Sequence, residues 1–141
     1  MSLLVSKEIE RPSETVWQLI VVDHVRNHPR WDPKMWLEQV TSGPIGVGTR
    51  IKRRHTRAGA PIEGTMEVVE FDPPHAFGVL IRDETPSGPL EVRSRMTLQP
   101  HGAGRTLLTI ELDLPGTAAS MDPSMIEASL ARMKELIESE T

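Results

Sequence analysis

The sequence predicts an α+β domain in which a seven-stranded antiparallel sheet carries one long C-terminal helix on its apolar face. Three observations support this architecture. A strand-like segment followed by two short helical segments opens the chain, hydrophobicity then alternates with a period of two, and a helical period returns near the C-terminus. Because 141 residues suffice for one hydrophobic core, residues 1–141 are expected to form a single domain.

The N-terminal elements are bounded by prolines. A strand over Ser2–Glu10 is expected to end before Pro12, because proline fixes φ and suits the first turn of a helix better than a sheet. Apolar residues at helical spacing then predict a helix of about three turns that ends near Asp23. A shorter helix or turn is expected from His24 to about Pro29, where proline breaks the pattern.

The middle of the chain has the pattern of an antiparallel meander. Strands are expected near 34–41, 48–57, 61–71, 75–84, 90–99 and 105–114, separated by turns rich in glycine and proline. A closing helix is expected over 123–139, with Asp122 as its N-cap and Pro123 in the first helical position. At about 24 Å in length, this helix is the only element large enough to cover the apolar face of the sheet.

Two hairpins can be aligned from their residue patterns. In the hairpin around Ala58-Gly59, one register separates the apolar residues from the charged ones and places Arg50 opposite Glu67 and Arg54 opposite Glu63. The same reasoning on the last hairpin pairs Val92, Ser94, Met96 and Leu98 with Leu112, Ile110, Leu108 and Thr106, and pairs Arg93 with Glu111 on the outer face. Each hairpin therefore offers a largely apolar inner wall.

Composition excludes several classes of protein. The chain has no cysteine, so it holds no disulfide or thiolate metal ligand, and neither a metal nor another cofactor is expected. No apolar run approaches the roughly 20 residues that span a bilayer, so stable membrane insertion is not expected. The first residues lack a basic segment followed by a long apolar stretch, which predicts a cytoplasmic location.

The charge balance argues against a nucleic acid as partner. The formal net charge is -4, whereas phosphate contacts need clustered positive charge. The one basic run, Arg50–Arg54, is interpreted as solvated strand charges compensated by acidic neighbours. A nucleic-acid patch and a polar anchor for a ligand are the alternatives.

Arg53 and His55 are polar residues at positions of the inner face of the first hairpin where apolar residues are expected. They lie opposite Gly64 and Ile62. A buried unpaired charge costs several kcal/mol. Arg53 is therefore expected to reach a carboxylate, phosphate or carbonyl of a ligand, to pair with an acidic side chain, or to extend to the rim. His55 suits general acid–base catalysis or a hydrogen bond at the cavity mouth. Both are candidates for catalysis, and no catalytic role is assigned.

Methionines and inner hydroxyl groups complete the predicted site. Methionine adapts to irregular shapes, which suits a cavity for apolar molecules and an ordinary core equally. The residues expected to bind a ligand are Trp31, Met35, Ile51, Arg53, His55, Met66, Phe77, Val79, Ser94, Met96, Leu108, Ile110, Met125, Ser129 and Met133.

One further pair of histidines is weak evidence for a metal site. His24 and His28 have the spacing of two metal ligands on a helix, but the glutamate of the HExxH zinc motif is missing. We interpret the pair as part of a surface turn.

Several short motifs resemble one known family in the order in which that family has them. They are Ile9–Trp17, Trp31-Asp32-Pro33, Gly46–Arg50, Val69–Pro74, Leu98-Gln99-Pro100 and Leu130–Lys134. Together they resemble the START-like (SRPBCC) superfamily, in its polyketide cyclase/dehydrase and lipid-transport branch. The resemblance implies the helix-grip fold, in which a curved sheet wraps around the C-terminal helix and leaves a cavity between them. It implies no single activity, because such folds host many functions.

Three functions remain open at this point. The first is the binding of a small, largely apolar ligand, such as a lipid, a polyketide or another ring-bearing molecule, between the sheet and the last helix. The second is a cyclase or dehydratase that uses the same cavity, with His55 moving a proton. The third is a protein-interaction module with a filled interior. A homodimer stays open as the commonest soluble assembly.

Overall fold

The first helices follow the first strand and the longest helix closes the chain, as predicted. The computed structural model describes residues 2–56, 59–114 and 123–140. Its first strand is β1 (Ser2–Ile9), and its helices are α1 (Ser13–Trp17), which continues as a π-helical turn (Gln18–Val22), then α2 (His24–Trp31) and the closing α3 (Pro123–Glu140). The predicted order of elements is confirmed. The predicted N-cap Asp122 lies outside the described residues.

The other strands form the expected meander. They are β2 (Met35–Gln39), β3 (Arg50–His55), β4 (Ile62–Asp72), β5 (Ala76–Thr85), β6 (Gly88–Pro100) and β7 (Thr106–Asp113). The sheet order is β1-β7-β6-β5-β4-β3-β2, and every neighbouring pair is antiparallel. The register of β4 against β5 shifts between Val68 and Glu70, and a β-bulge of this kind bends a strand. No helix among these described ranges is long and apolar enough to cross a membrane.

Of the two predicted hairpin registers, one is confirmed and the other is wrong by two residues. Strand β3 pairs with β4 as predicted, with Arg50 opposite Glu67 and His55 opposite Ile62. Strand β6 pairs with β7 two residues away from the prediction, with these partners: Arg93 and Asp113, Ser94 and Leu112, Arg95 and Glu111, Met96 and Ile110, Leu98 and Leu108, Pro100 and Thr106. A shift by two keeps every side chain on its predicted face, so the apolar inner wall is unchanged.

The geometry of the last turn explains this correction. The N–H of His101 donates to the carbonyl of Arg105 at 3.0 Å, so the turn is centred one residue later than expected. Gly102 and Gly104 have φ values of 84° and 69°, which only glycine adopts easily. The turn chemistry therefore sets the pairing.

Helix α2 is longer than predicted, because Pro29 lies inside it rather than at its end. The backbone N–H of Asp32 still donates to the carbonyl of His28 at 2.9 Å, so the helical pattern continues past the proline. The proline removes one backbone donor without ending the helix. The extra turn brings Trp31 into the core, where it is buried.

Strand β2 forms one edge of the sheet and is only five residues long. On its outer side Trp36 is partly exposed, and the guanidinium carbon of Arg54 lies 5.3 Å from the centre of its ring. Arg54 also donates to Glu63 at 2.8 Å. The basic run of β3 thus alternates as expected, with Arg50, Lys52 and Arg54 exposed and with Ile51, Arg53 and His55 buried.

The inner face of the sheet divides into two halves. In the filled half, Trp17 of α1 packs edge-on against Phe71 and Phe77, with ring centres 5.3 and 6.4 Å apart. A polar pair is also buried here, since the hydroxyl of Ser13 lies 3.1 Å from that of Thr106. In the other half, around Asp83, Val92 and Leu112, the sheet faces a cavity. This cavity half carries the candidate site.

Candidate functional site

A cavity of about 410 Å³ lies between the sheet, the end of α2 and the first half of α3. Its size falls within the range of small-molecule pockets. The side chains around it are His28, Trp31, Asp32, Met35, Arg53, His55, Ile62, Ile81, Asp83, Thr85, Leu90, Val92, Ser94, Met96, Ile110, Leu112, Met125, Ile126, Ser129 and Met133. The interior is therefore not filled. Met125 is 43% exposed, which places it at the opening.

The structure brings many of the predicted site residues together at this cavity. Those that line it are Trp31, Met35, Arg53, His55, Ser94, Met96, Ile110, Met125, Ser129 and Met133. Five others do not line it and lie in the hydrophobic core, namely Ile51, Met66, Phe77, Val79 and Leu108. Their inner-face assignment was right, but helical side chains such as Trp17 and His24 cover Phe77. Alternation predicts the face of a residue and says nothing of what covers it.

The prediction missed further lining residues, of which Asp83 matters most. Asp83 is 6% exposed and lies on the inner face of β5, in phase with Ile81 and Val79. An acidic residue at an apolar position is the same signal that identified Arg53. The other missed residues are His28, Asp32, Ile62, Ile81, Thr85, Leu90, Val92, Leu112 and Ile126.

Arg53, Asp83 and His55 form a buried polar cluster in the cavity wall. The Nε atom of Arg53 lies 3.0 Å from Oδ1 of Asp83, and its Nη2 donates to Oδ2 at 3.2 Å. The Nε2 atom of His55 lies 3.3 Å from the same Oδ2. Of the environments expected for Arg53, the structure shows the pairing with an acidic side chain of the protein. A buried ion pair with a charge-assisted hydrogen bond restrains both side chains.

Gly64 makes the pair possible. It is the cross-strand neighbour of Arg53 on one side and of Asp83 on the other. Strands lie about 4.8 Å apart, so side chains from β3 and β5 must meet over β4. A Cβ atom at position 64 would lie 2.1 Å from Oδ1 of Asp83 and 2.4 Å from the carbonyl oxygen of Arg82. Only glycine leaves room for the ion pair.

A second polar group lies in the helical wall, where the prediction of a surface turn is wrong. His24 is 1% exposed and lies between Phe77 and Trp31, with ring centres 5.6 Å from each. Its Nδ1 lies 2.8 Å from the carbonyl oxygen of Ile20, and its Nε2 lies 3.0 Å from Nδ1 of His28. The pKa of His24 is lowered to about 4, chiefly by burial and also by the positive charge of Arg53, although the hydrogen bond to Ile20 acts in the opposite direction.

Helix α3 is fixed in place by contacts of its second half. Arg132 donates to the carbonyl of Trp31 at 2.5 Å, and Lys134 donates to the carbonyl of Glu8 at 2.9 Å. The backbone N–H of Glu10 donates to Glu138 at 2.9 Å. These bonds tie the helix to α2 and β1. Within the described parts of the chain, no three His, Asp or Glu side chains are grouped as metal ligands.

Solved structures share this fold. Ara h 8.0201 superimposes with a TM-score of 0.75 at 14% identity, over 99% of this chain and 98% of that chain. The protein Ms6760 from Mycobacterium smegmatis gives 0.74 at 19% identity, over 96% and 89%. The di-domain ARO/CYC protein BexL from the BE-7585A biosynthetic pathway gives 0.74 at 20% identity, over 98% of this chain and 46% of that one. They confirm the predicted helix-grip fold.

Curated sequences match over a shorter stretch. A segment of 54 residues, 37% of this chain, is 44% identical to phosphoenolpyruvate carboxykinase (ATP) 2 from Moorella thermoacetica. A segment of the same length is 41% identical to the corresponding enzyme from Brevibacillus brevis. The matched segment is only 10% of the length of each enzyme, which is too little to assign their activity to this chain.

The family comparison covers nearly the whole chain. The model described as "Polyketide cyclase / dehydrase and lipid transport" matches residues 2–138, which agrees with the motifs found in the sequence. The chain belongs to this family.

Proposed function

We propose that the protein binds a small, largely apolar molecule, such as a lipid, a polyketide or another ring-bearing compound, in the cavity between the sheet and α3. The observation that carries this proposal is a 410 Å³ cavity with mainly apolar walls and one buried polar cluster. Apolar contact supplies affinity at roughly 25 cal/mol per Å² of surface removed from water. The polar cluster supplies orientation.

The charges of the site favour a neutral ligand over an anion. The positive charge of Arg53 is already compensated by Asp83 at 3.0 Å. A second carboxylate, that of Asp32, also lines the cavity. An anionic head group would therefore meet no net positive charge, whereas a carbonyl or hydroxyl can still bond to the cluster.

The test uses two fluorescent probes with similar rings, neutral N-phenyl-1-naphthylamine and the anionic 8-anilinonaphthalene-1-sulfonate. The neutral probe is expected to bind more tightly. Ser94→Phe places a ring in the cavity and is expected to weaken binding about tenfold or more. Arg93→Phe adds the same ring on the outer face of β6, where Arg93 is exposed, and is expected to leave binding unchanged. If Ser94→Phe binds the probe like the unaltered protein, the cavity is not the site.

One observation favours a second candidate function, an enzyme of cyclase or dehydratase type. His55 lies in the cavity wall with its Nε2 atom 3.3 Å from the carboxylate of Asp83. A carboxylate that orients an imidazole is a common arrangement for general acid–base catalysis. Such chemistry would remove a proton next to a carbonyl group of the ligand.

A simple ketone can test this candidate. For 2-tetralone in D₂O, exchange of the protons next to the carbonyl is followed by NMR. An enzyme is expected to accelerate exchange, and His55→Gln should then reduce the rate about 10²–10⁴-fold, with only a small loss of affinity. The control His101→Gln alters an exposed histidine and should have no effect. Equal rates with and without the protein would leave binding alone as the function.

A further inference from the structure

We infer that the hydroxyl group of Ser94 binds one end of the ligand, and that the ligand is an elongated, ring-bearing molecule with a hydrogen-bonding group at each end. The inference rests on the proposed function and names the class of ligand. Ser94 lies on the inner face of β6, in the sheet wall of the cavity.

Among the described residues that line the cavity, three carry a hydroxyl group, and two of these hydroxyls have a partner within the protein. Thr85 donates to the carbonyl of Gly88 at 2.5 Å, and Ser129 accepts from Nη2 of Arg132 at 3.4 Å. Ser94 is 8% exposed, and within the described parts of the chain no hydrogen bond involves its hydroxyl. A buried hydroxyl without a partner costs free energy, so its partner is expected in the cavity.

The protein surroundings of Ser94 do not explain a polar residue at this position. Its neighbours across the sheet are Val79 on β5 and Leu112 on β7, and the nearest inner-face residues of β6 are Val92 and Met96. All four are buried and apolar. An alanine or a valine would suit this environment without leaving a hydroxyl to be bonded. A ligand that bonds to the hydroxyl explains the serine.

The register of β5 and β6 gives the separation between Ser94 and the buried polar cluster. Asp83 of that cluster lies opposite Leu90, and Ser94 lies four residues further along β6. Four residues of a strand span about 13 Å. Between these two levels lie Ile81 and Val92, which are paired with each other and line the cavity. The sheet wall therefore presents two polar points with an apolar stretch between them.

A ligand that uses both points needs a matching pattern. One end bonds to the cluster around Asp83, the other end bonds to Ser94, and an apolar middle covers Ile81 and Val92. Two linked or fused rings supply a rigid middle of this kind. A hydroxyl or carbonyl group suits the end at Ser94, because a serine hydroxyl both donates and accepts.

The first test measures the contribution of a second hydroxyl group. The compounds 4,4′-dihydroxybiphenyl and 4-hydroxybiphenyl are used to displace bound N-phenyl-1-naphthylamine, and the ratio of their affinities is compared between variants. The unaltered protein is expected to bind the dihydroxy compound about tenfold more tightly, a factor typical of one hydrogen bond. Ser94→Ala changes the volume little and should abolish this preference. Thr97→Ala removes a hydroxyl from the outer face of the same strand and should retain it. An unchanged ratio in Ser94→Ala would overturn the inference.

The second test concerns the spacing of the two polar groups. The isomer 3,4-dihydroxybiphenyl carries both hydroxyls on one ring, so it cannot place one at each end. The unaltered protein is expected to prefer the 4,4′ isomer, and Ser94→Ala should bind the two isomers about equally. If the probe binds but the isomers bind equally well or not at all, the inference fails and the proposed function stands. If the probe itself does not bind, the proposed function fails, and the role of Ser94 with it.

Discussion

Two ion pairs in this sheet have the same construction and lie in different surroundings. On the inner face, Arg53 and Asp83 meet over Gly64. On the outer face, Arg95 and Glu70 meet over Gly78, with Nε of Arg95 2.7 Å from Oε1 of Glu70. In each case an arginine and a carboxylate from alternate strands join above the glycine of the strand between them.

Burial separates the two pairs. The side chains of Arg53 and Asp83 are 5% and 9% exposed, whereas those of Arg95 and Glu70 are 47% and 38% exposed. Water screens the outer pair, and its two charges stay solvated if the contact is broken. If the inner contact is broken, its two charges stay buried and are not solvated by water. The same geometry is therefore a small stabilising contact on one face and a strong constraint on the other.

The largest expected effect is on the inner pair. Asp83→Asn removes the buried carboxylate that pairs with the guanidinium of Arg53, which is expected to cost about 3–5 kcal/mol in the free energy of unfolding. Urea denaturation measures this loss. The double variant Arg53→Met/Asp83→Leu removes both charges and should recover much of the stability. A double variant less stable than Asp83→Asn would show that the pair itself, and not the charge that remains on Arg53, sets the cost.

The two glycines give the next comparison. In Gly64→Ala the new Cβ would lie 2.4 Å from a backbone oxygen of β5, so the strands must separate, at an expected cost of about 3 kcal/mol. In Gly78→Ala it would lie 2.9 Å from the side chain of Glu70 and 3.7 Å from its backbone nitrogen, so the expected loss is about 1 kcal/mol. Thermal unfolding and probe binding measure both. Equal losses would refute the role assigned to Gly64.

The inner pair also affects His24, which leads to a dependence on pH. The pKa of His24 is lowered from 6.5 to about 4, chiefly by burial and also by the charge of Arg53. Between these values the unfolded chain binds more protons than the folded one, so stability falls as the pH falls. Stability at pH 5 is expected to lie about 2 kcal/mol below that at pH 7.5. His24→Phe should flatten this dependence, and an unchanged slope would contradict the assignment.

The smallest effect is expected on the outer pair. Hydrogen bonds from Arg95 lower the pKa of Glu70, but both groups are well exposed. Glu70→Gln is therefore expected to cost at most about 1 kcal/mol, and less at high salt. Urea denaturation at two salt concentrations measures this. A loss as large as that of Asp83→Asn would remove the distinction between the two faces.

Local patterns predicted the faces of the strands well. The alternation of β3 identified Arg53 and His55 as inner-face residues, and opposite charges at Arg50 and Glu67 predicted the register with β4. These features depend on neighbours within one hairpin. The same alternation in β5 contained the signal for Asp83, which lies on the next strand.

Features that depend on distant parts of the chain were not predictable in this way. The choice between core and cavity for Phe77 or Val79 depends on where the helices lie on the sheet. The inward position of His24 depends on how α2 packs. The register of β6 with β7 depends on the conformation of glycines in one turn, which alternation does not encode.

The short edge strand β2 bears on aggregation. An unpaired strand edge offers its backbone groups to other chains, and an exposed aromatic ring strengthens that attraction. Here the strand has five residues, and the guanidinium of Arg54 lies over Trp36. Arg54 therefore protects the solubility of the folded protein more than its stability, since a charge over the ring keeps a second edge from docking there.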